Sequence, residues 1–174
     1  MKWHNIVLVG FMGTGKTSVG GVLAGKLGWR LVGTDEEIER REGRTIPELF
    51  AGPGETYFRD VESGVIADVM SRSGQVVATG GGAVLAPRNR EAMRAGGIVV
   101  ALTASAETII ARVNRDSNRP LLQGNAHETV PQLMEKRKHA YDFADVTVAT
   151  DGLTVEQIAE TIVRLSATYD RPET

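Results

Sequence analysis

The run Gly10-Phe11-Met12-Gly13-Thr14-Gly15-Lys16-Thr17 constrains this chain more than any other eight residues in it. It fits G-x-x-x-x-G-K-[ST], in which a glycine-rich turn points backbone N–H groups inward at phosphate oxygens. Such a turn needs a buried strand before it and a helix after it. Asn5–Val9 (NIVLV) has the first character and Ser18–Leu27 the second. The helix N-terminus adds a partial positive charge at the same place. Gly13, Thr14, Gly15, Lys16, Thr17 and Ser18 are therefore candidate nucleotide-binding residues. Lys16 is placed to reach the β- and γ-phosphates of a nucleoside triphosphate, and the Thr17 hydroxyl to ligate Mg²⁺.

The rest of the chain repeats that strand–helix alternation. Gln75–Ala78 (QVVA), Ile98–Leu102 (IVVAL) and Val146–Ala149 (VTVA) are β-branched and almost continuously apolar, as strands buried on both faces of a parallel sheet read. Arg30–Val32 is a shorter, weaker candidate. Thr34-x-x-Glu37, Thr45-x-x-Glu48 and Thr154-x-x-Gln157 have capping-box spacing. Pro87 can open a helix that runs to about Ala95 and stops at Gly96-Gly97. No internal repeat, low-complexity segment or linker interrupts the pattern. The expected fold class is α/β, a parallel sheet flanked by helices, in a single domain over residues 1–174.

Composition excludes several function classes. Twenty basic against twenty-two acidic residues gives a formal charge of −2, which suits neither a nucleic-acid nor a membrane surface. There is no cysteine, hence no disulfide and no thiolate metal site. No apolar run approaches the roughly 18 residues of a membrane span, and MKWHNIVLVG lacks the features of a signal peptide. The expected location is the cytoplasm and the expected partner a small molecule, with the chain acting as a monomer.

Four further stretches bear on what receives the phosphoryl group. Arg59 and Glu62, in the helix that Gly54-Glu55 opens, share a face and can pair; a guanidinium held this way suits a carboxylate ligand, though a solvated surface pair would read the same. Gly80-Gly81-Gly82 follows a strand, at the end where open α/β sheets bind ligands. Its glycines either admit a ligand close to the backbone or make a flexible turn. A helix carrying Arg112 ends near Arg115 and gives way to a polar loop containing Arg119, which reads as a lid over phosphate or as a charged surface loop. Arg137, read as lying on a helix over Glu135–Tyr141, is a second carboxylate clamp or part of a solvated face.

Together the pieces resemble the shikimate kinase family, from about Asn5 to Leu165. The resemblance rests on the phosphate loop combined with D-x-x-I-E (Asp35–Glu39), G-E-x-x-F-R-x-x-E (Gly54–Glu62), G-G-G-A-V (Gly80–Val84), R-P-L-L (Arg119–Leu122) and K-R-x-x-x-Y (Lys136–Tyr141). It implies a three-layer P-loop kinase fold with a five-stranded parallel sheet. A substrate-binding helical segment is expected at about 34–63 and a mobile lid at about 113–127. It implies transfer of the ATP γ-phosphoryl group to the 3-hydroxyl of shikimate, with Mg²⁺. By position, Asp35 would hold the ring hydroxyls and take the proton of the attacking one. Arg59 and Arg137 would clamp the carboxylate, with Glu62 orienting Arg59. Gly80, Gly81 and Gly82 would lie against the substrate, Arg119 would reach the phosphates and Arg112 would flank the adenine.

One position departs from the family pattern. Its strand-two edge usually reads D-x-D, with the first Asp holding a water on Mg²⁺; here that residue is Gly33. Mg²⁺ normally keeps several waters and draws ligands from phosphate. The expectation is an active enzyme with weakened Mg²⁺ affinity, unless a neighbouring carboxylate compensates. The rival readings are another small-metabolite kinase, such as a gluconate kinase, and a non-catalytic binding protein on the same scaffold.

Overall fold

In the computed structural model, residues 2–115 and 125–173 are described. Five strands form one fully parallel sheet: β1 (Asn5–Val9), β2 (Arg30–Gly33), β3 (Gln75–Ala78), β4 (Ile98–Thr103) and β5 (Val146–Ala149). Their order is β2-β3-β1-β4-β5, with β1 paired to β3 through Val7↔Val77 and to β4 through Val7↔Val99. The weak pattern of Arg30–Val32 has a physical cause. β2 is an edge strand with Arg30 and Leu31 exposed, so it lacks the continuous apolar run of the central strands.

Alternation along the strands divides the core into two faces. Val7 and Val9 of β1 join Val77, Val99 and Ala101 under α4 (Glu55–Met70) and α5 (Pro87–Gly96). Ile6 and Leu8 join Val76, Val100 and Leu102 under α1 (Lys16–Leu27) and α8 (Val155–Thr168). Every residue of β1 is buried. A Cβ on Gly20 of α1 would stand 2.8 Å from Leu31 Cδ1 and 3.5 Å from Leu8 Cδ1, so this glycine lets α1 pack closely on the sheet.

Two of the three expected capping boxes form. Thr45 and Glu48 close the start of α3 (Ile46–Ala51), and Thr154 and Gln157 close that of α8. The third does not. Because β2 runs on to Gly33, that glycine is the N-cap of α2 (Thr34–Glu42), and Thr34 already lies inside the helix. Its buried hydroxyl accepts the Gly80 N–H across the sheet at 3.3 Å, while Glu37 takes Arg40 and Arg41.

Two other expectations are corrected at the C-terminal side. The helix before β5, α7 (Ala126–Lys136), stops at Lys136, so Arg137 caps it and Tyr141 lies in the turns beyond. The tail after Leu165 (SATYDRPET) reads in the sequence as polar and frayed, but it is pinned. Trp3 Nε1 donates to Ser166 O at 3.0 Å, and the Trp3 and Tyr169 rings stack with centroids 6.2 Å apart. Arg171 donates to both carboxylate oxygens of Asp145 and to the carbonyls of Arg94 and Gly97. Polarity misled here because the charged side chains bond inward instead of facing water. Among the described residues, no helix is long and apolar enough to cross a membrane.

Candidate active site

The C-terminal ends of three adjacent strands build one cleft. β1 leads into the phosphate loop, β2 into Asp35 at the start of α2, and β3 into Gly80–Gly82. This is the edge at which open parallel sheets hold ligands. The cavity measures about 540 Å³ and brings together Lys16, Thr17, Asp35, Arg59, Gly81 and Arg112, within the range of small-molecule sites. Gly13, Gly15 and Ser18 line it as well.

The phosphate loop has its predicted form. Gly13 and Gly15 adopt φ of 77° and 95°, in the left-handed region that L side chains avoid, and Gly15 caps α1. The nearly buried Lys16 ammonium donates to Gly10 O at 2.7 Å and Phe11 O at 3.0 Å, which fixes it over the loop. Thr14 is buried and its hydroxyl donates to Phe11 O at 2.8 Å, so it holds the loop from within. Arg112, near the end of α6 (Ala106–Val113), donates to Gly13 O at 2.8 Å and so flanks the loop.

The three consecutive glycines turn out to be a steric requirement, because none of them has positive φ. A Cβ on Gly80 would lie 2.8 Å from Asp35 Oδ1, and one on Gly82 would lie 2.5 Å from Arg59 Nη2. One on Gly81 would lie 3.2 Å from Met12 N and 3.6 Å from Arg137 Nη1. Gly80 and Gly82 thus each make room for a charged side chain, and Gly81 makes room for the backbone at Met12. The run is therefore fitted against the protein's own groups and is not a loose turn.

Arg59 and Glu62 form a partly buried pair and not a solvated one. Arg59 Nη1 donates to Glu62 Oε1 at 2.8 Å, and the guanidinium carbon lies 5.2 Å from the Phe58 ring centre. Glu62 is 1% exposed, and among the described residues its Oε2 has no hydrogen-bond partner. Burial pushes the Glu62 carboxyl up from its ordinary range, with the Arg59 charge and hydrogen bond opposing.

Arg137 is buried, with its guanidinium 5.9 Å from the Phe11 ring centre and Nη1 lacking a hydrogen-bond partner among the described residues. It does not line the main cleft. It borders a smaller cavity of about 180 Å³ with Phe11, Thr14, Met134 and Tyr141. Arg119 lies outside the described residues, as does most of the expected lid.

Two residues near the site were given no role from the sequence, Tyr141 entering only as the last position of K-R-x-x-x-Y. The Tyr141 hydroxyl donates to Gly81 O at 2.8 Å and ties the turns after α7 to the glycine run. Glu36 lines the cleft and brings its carboxylate onto Gly33. Neither had a local signal: one contact spans 60 positions, and the other depends on where α2 starts.

The chain matches the family model described as shikimate kinase over residues 12–166. It is 45% identical over 161 residues to a shikimate kinase of Thermodesulfovibrio yellowstonii, covering 92% of this chain and 93% of that one. It is 48% identical over 160 residues to one of Geobacter sulfurreducens, covering 91% and 88%. Among solved structures, a shikimate kinase from Acinetobacter baumannii in complex with shikimate superposes with a TM-score of 0.90 at 42% identity, over 94% of this chain and 93% of that one. With the phosphate loop, the glycine run and the Arg59–Glu62 pair meeting at one sheet edge, these matches show that the chain belongs to the shikimate kinase family.

Proposed function

We propose that this chain transfers the γ-phosphoryl group of ATP to the 3-hydroxyl of shikimate, giving shikimate 3-phosphate and ADP. The observation that carries the reading is the convergence of Lys16, Asp35 and Arg59 on one cleft floored by Gly80–Gly82. A gluconate kinase would share the phosphate loop. It would have no use for a guanidinium anchored on a buried glutamate and admitted by a glycine. A ring acid whose carboxylate meets Arg59 fits that arrangement. A non-catalytic binding protein would have no need of Lys16 and Asp35 together.

Phosphoryl transfer needs positioning and charge neutralisation more than covalent help. Backbone N–H groups of Gly13–Thr17 hold the phosphates, and Lys16 leaves its carbonyl contacts to follow the β- and γ-oxygens. Asp35, kept beside Gly80, orients the acceptor hydroxyl and accepts its proton. Arg59 sets the ring's angle by holding its carboxylate; Arg137, which lies behind Gly81 on the smaller cavity, is the second clamp once it turns toward the cleft. Arg112 lies along the nucleotide, and Arg119 brings further positive charge to the transferring group.

The donor set fits Mg²⁺ as a companion of ATP. No group of three His, Asp or Glu side chains among the described residues could cage a metal. The cleft does offer the Thr17 hydroxyl and the carboxylates of Asp35 and Glu36 beside the phosphate loop, which suits an ion that takes most ligands from phosphate and water. When bound, Mg²⁺ neutralises charge on the β- and γ-phosphates.

A coupled assay of ADP release with shikimate, gluconate or no acceptor tests the proposal. Turnover is expected with shikimate alone. Acceptor-independent turnover, or none with shikimate, would overturn it.

A further inference from the structure

Gly33 leaves the end of β2 without a side chain where the family pattern carries a carboxylate. The position is not vacant in charge. Glu36 is the third residue of α2, and a side chain there leans back toward the helix N-terminus. Its carboxylate rests against Gly33. All three of the nearest atoms to a Cβ built on Gly33 belong to Glu36: Oε2, then Cδ at 2.7 Å and Oε1 at 3.3 Å. The two residues thus share one space, and in this chain the carboxylate of the helix fills it.

The ordinary use of a glutamate at this helical position is half of a capping box, whose other half is a side chain at the N-cap. Gly33 is the N-cap and has none, and no side-chain cap bond closes α2. Glu36 meanwhile lines the cleft with Lys16, Thr17 and Ser18, the residues that meet the phosphates and their cation. The carboxylate therefore shares the cleft of the phosphate loop with Asp35, and it fills the space into which a side chain at 33 would project.

We propose that Glu36 supplies the metal-side carboxylate that Gly33 lacks, reaching back from α2 to hold the water shell of the Mg²⁺ that accompanies ATP. The inference rests on the reading of this cleft as a Mg²⁺–nucleotide site. It replaces the expectation of weakened metal affinity with relocation of the same charge. It also reverses the outcome expected of Gly33→Asp. The added side chain does not fill a gap but collides with Glu36 and expels it.

The measurement is the ratio of ADP dissociation constants without and with saturating Mg²⁺, by calorimetry. It is read on the unaltered protein, Glu36→Gln, Gly33→Asp and the double variant. Carboxylates that orient a metal's shell are worth about 10–100-fold in metal affinity. Glu36→Gln is therefore expected to reduce the ratio about tenfold, with metal-free ADP affinity unchanged, which a purely structural role would not produce. Gly33→Asp alone should bring no gain, and the double variant should recover the parental ratio by returning the carboxylate to position 33. A parental ratio in Glu36→Gln, or a raised one in Gly33→Asp alone, overturns the proposal while leaving the nucleotide site intact. ADP binding indifferent to Mg²⁺ in the unaltered protein would sink the metal–nucleotide reading itself, and this proposal with it.

Discussion

Asp35 and Gly80 come so close that a Cβ on Gly80 would stand 2.8 Å from the Asp35 Oδ1 and 3.4 Å from Oδ2. One hydrogen atom in place of a methyl group therefore sets where the proposed base can sit. Gly80→Ala should displace the carboxylate by a fraction of an ångström to an ångström, a shift worth up to about 100-fold in turnover. ADP affinity should stay within about twofold, because the phosphate loop is untouched. Steady-state kinetics and ADP calorimetry on Gly80→Ala and Asp35→Asn check this. Asp35→Asn is expected to lose about 10²–10⁴-fold in kcat.

Gly82 has the same relation to Arg59, at 2.5 Å from Nη2, but a different consequence follows. The carboxylate clamp binds ground state and transition state alike, so Gly82→Ala should raise the KM for shikimate about tenfold and leave kcat nearly unchanged. Equal falls in kcat and kcat/KM would show that Arg59 acts on the transition state instead.

Removing Arg59 outright should cost stability as well as binding. Glu62 is almost fully buried and its carboxyl is already pushed up from 4.5, mainly by burial, with Arg59 opposing. Arg59→Ala strands that charge at a cost of about 3 kcal/mol. The sign follows from linkage: the folded state holds the Glu62 proton more tightly than the unfolded chain does. The penalty is therefore absent below about pH 4.5 and grows as pH rises toward the folded-state pKa. Urea midpoints of Arg59→Ala at pH 5 and pH 8 should diverge from the parent more at pH 8. Adding Glu62→Gln should remove that pH dependence.

How much of this was legible in the sequence depends on the range of the contact. The phosphate loop, the central strands and two capping boxes are local patterns, and each formed as read. Gly80–Gly82 could be recognised as a site but not explained, because the reasons lie on three other segments, at Asp35, Met12 and Arg59. The Thr34 box failed by one residue of strand length. That same residue set Glu36 at the helix position from which it reaches Gly33. The C-terminal clamp was invisible, since Arg171 and Asp145 are 26 positions apart and read separately as surface charges.

That clamp has its own pH signature. Burial alone would raise the Asp145 carboxyl, but hydrogen bonds from Arg171 and the Val99 N–H outweigh it and hold the pKa below its usual 3.8. The stabilisation is therefore fully present above about pH 4 and lost as pH falls through the depressed folded-state value. Asp145→Asn should cost about 3 kcal/mol at pH 7, because Arg171 loses its partner at a buried end of the sheet. Since asparagine does not titrate, the gap between the variant and the parent should narrow steadily below pH 4. Chemical denaturation from pH 7 to pH 2.5 reads this directly, and a constant gap would place the clamp's contribution outside the carboxylate charge.

Tyr141 offers the cleanest separation of positioning from packing. Its hydroxyl donates to Gly81 O at 2.8 Å and also meets the Arg137 guanidinium, while its ring packs against the core. Tyr141→Phe keeps the ring and deletes the bond, a loss of about 1 kcal/mol in stability. If the bond serves to hold the glycine run against Asp35 and Arg59, the kinetic effect should exceed what that stability loss predicts: the KM for shikimate should rise about three- to tenfold, and ADP affinity should not change. Gly80 and Gly82, on either side of Gly81, pack against Asp35 and Arg59, so a loosened carbonyl at 81 reaches both at once. The double variant Tyr141→Phe/Gly82→Ala should accordingly be less than additive, because each change releases the same segment. Full additivity in the KM would mean that the hydroxyl steadies the fold and leaves the substrate contacts alone.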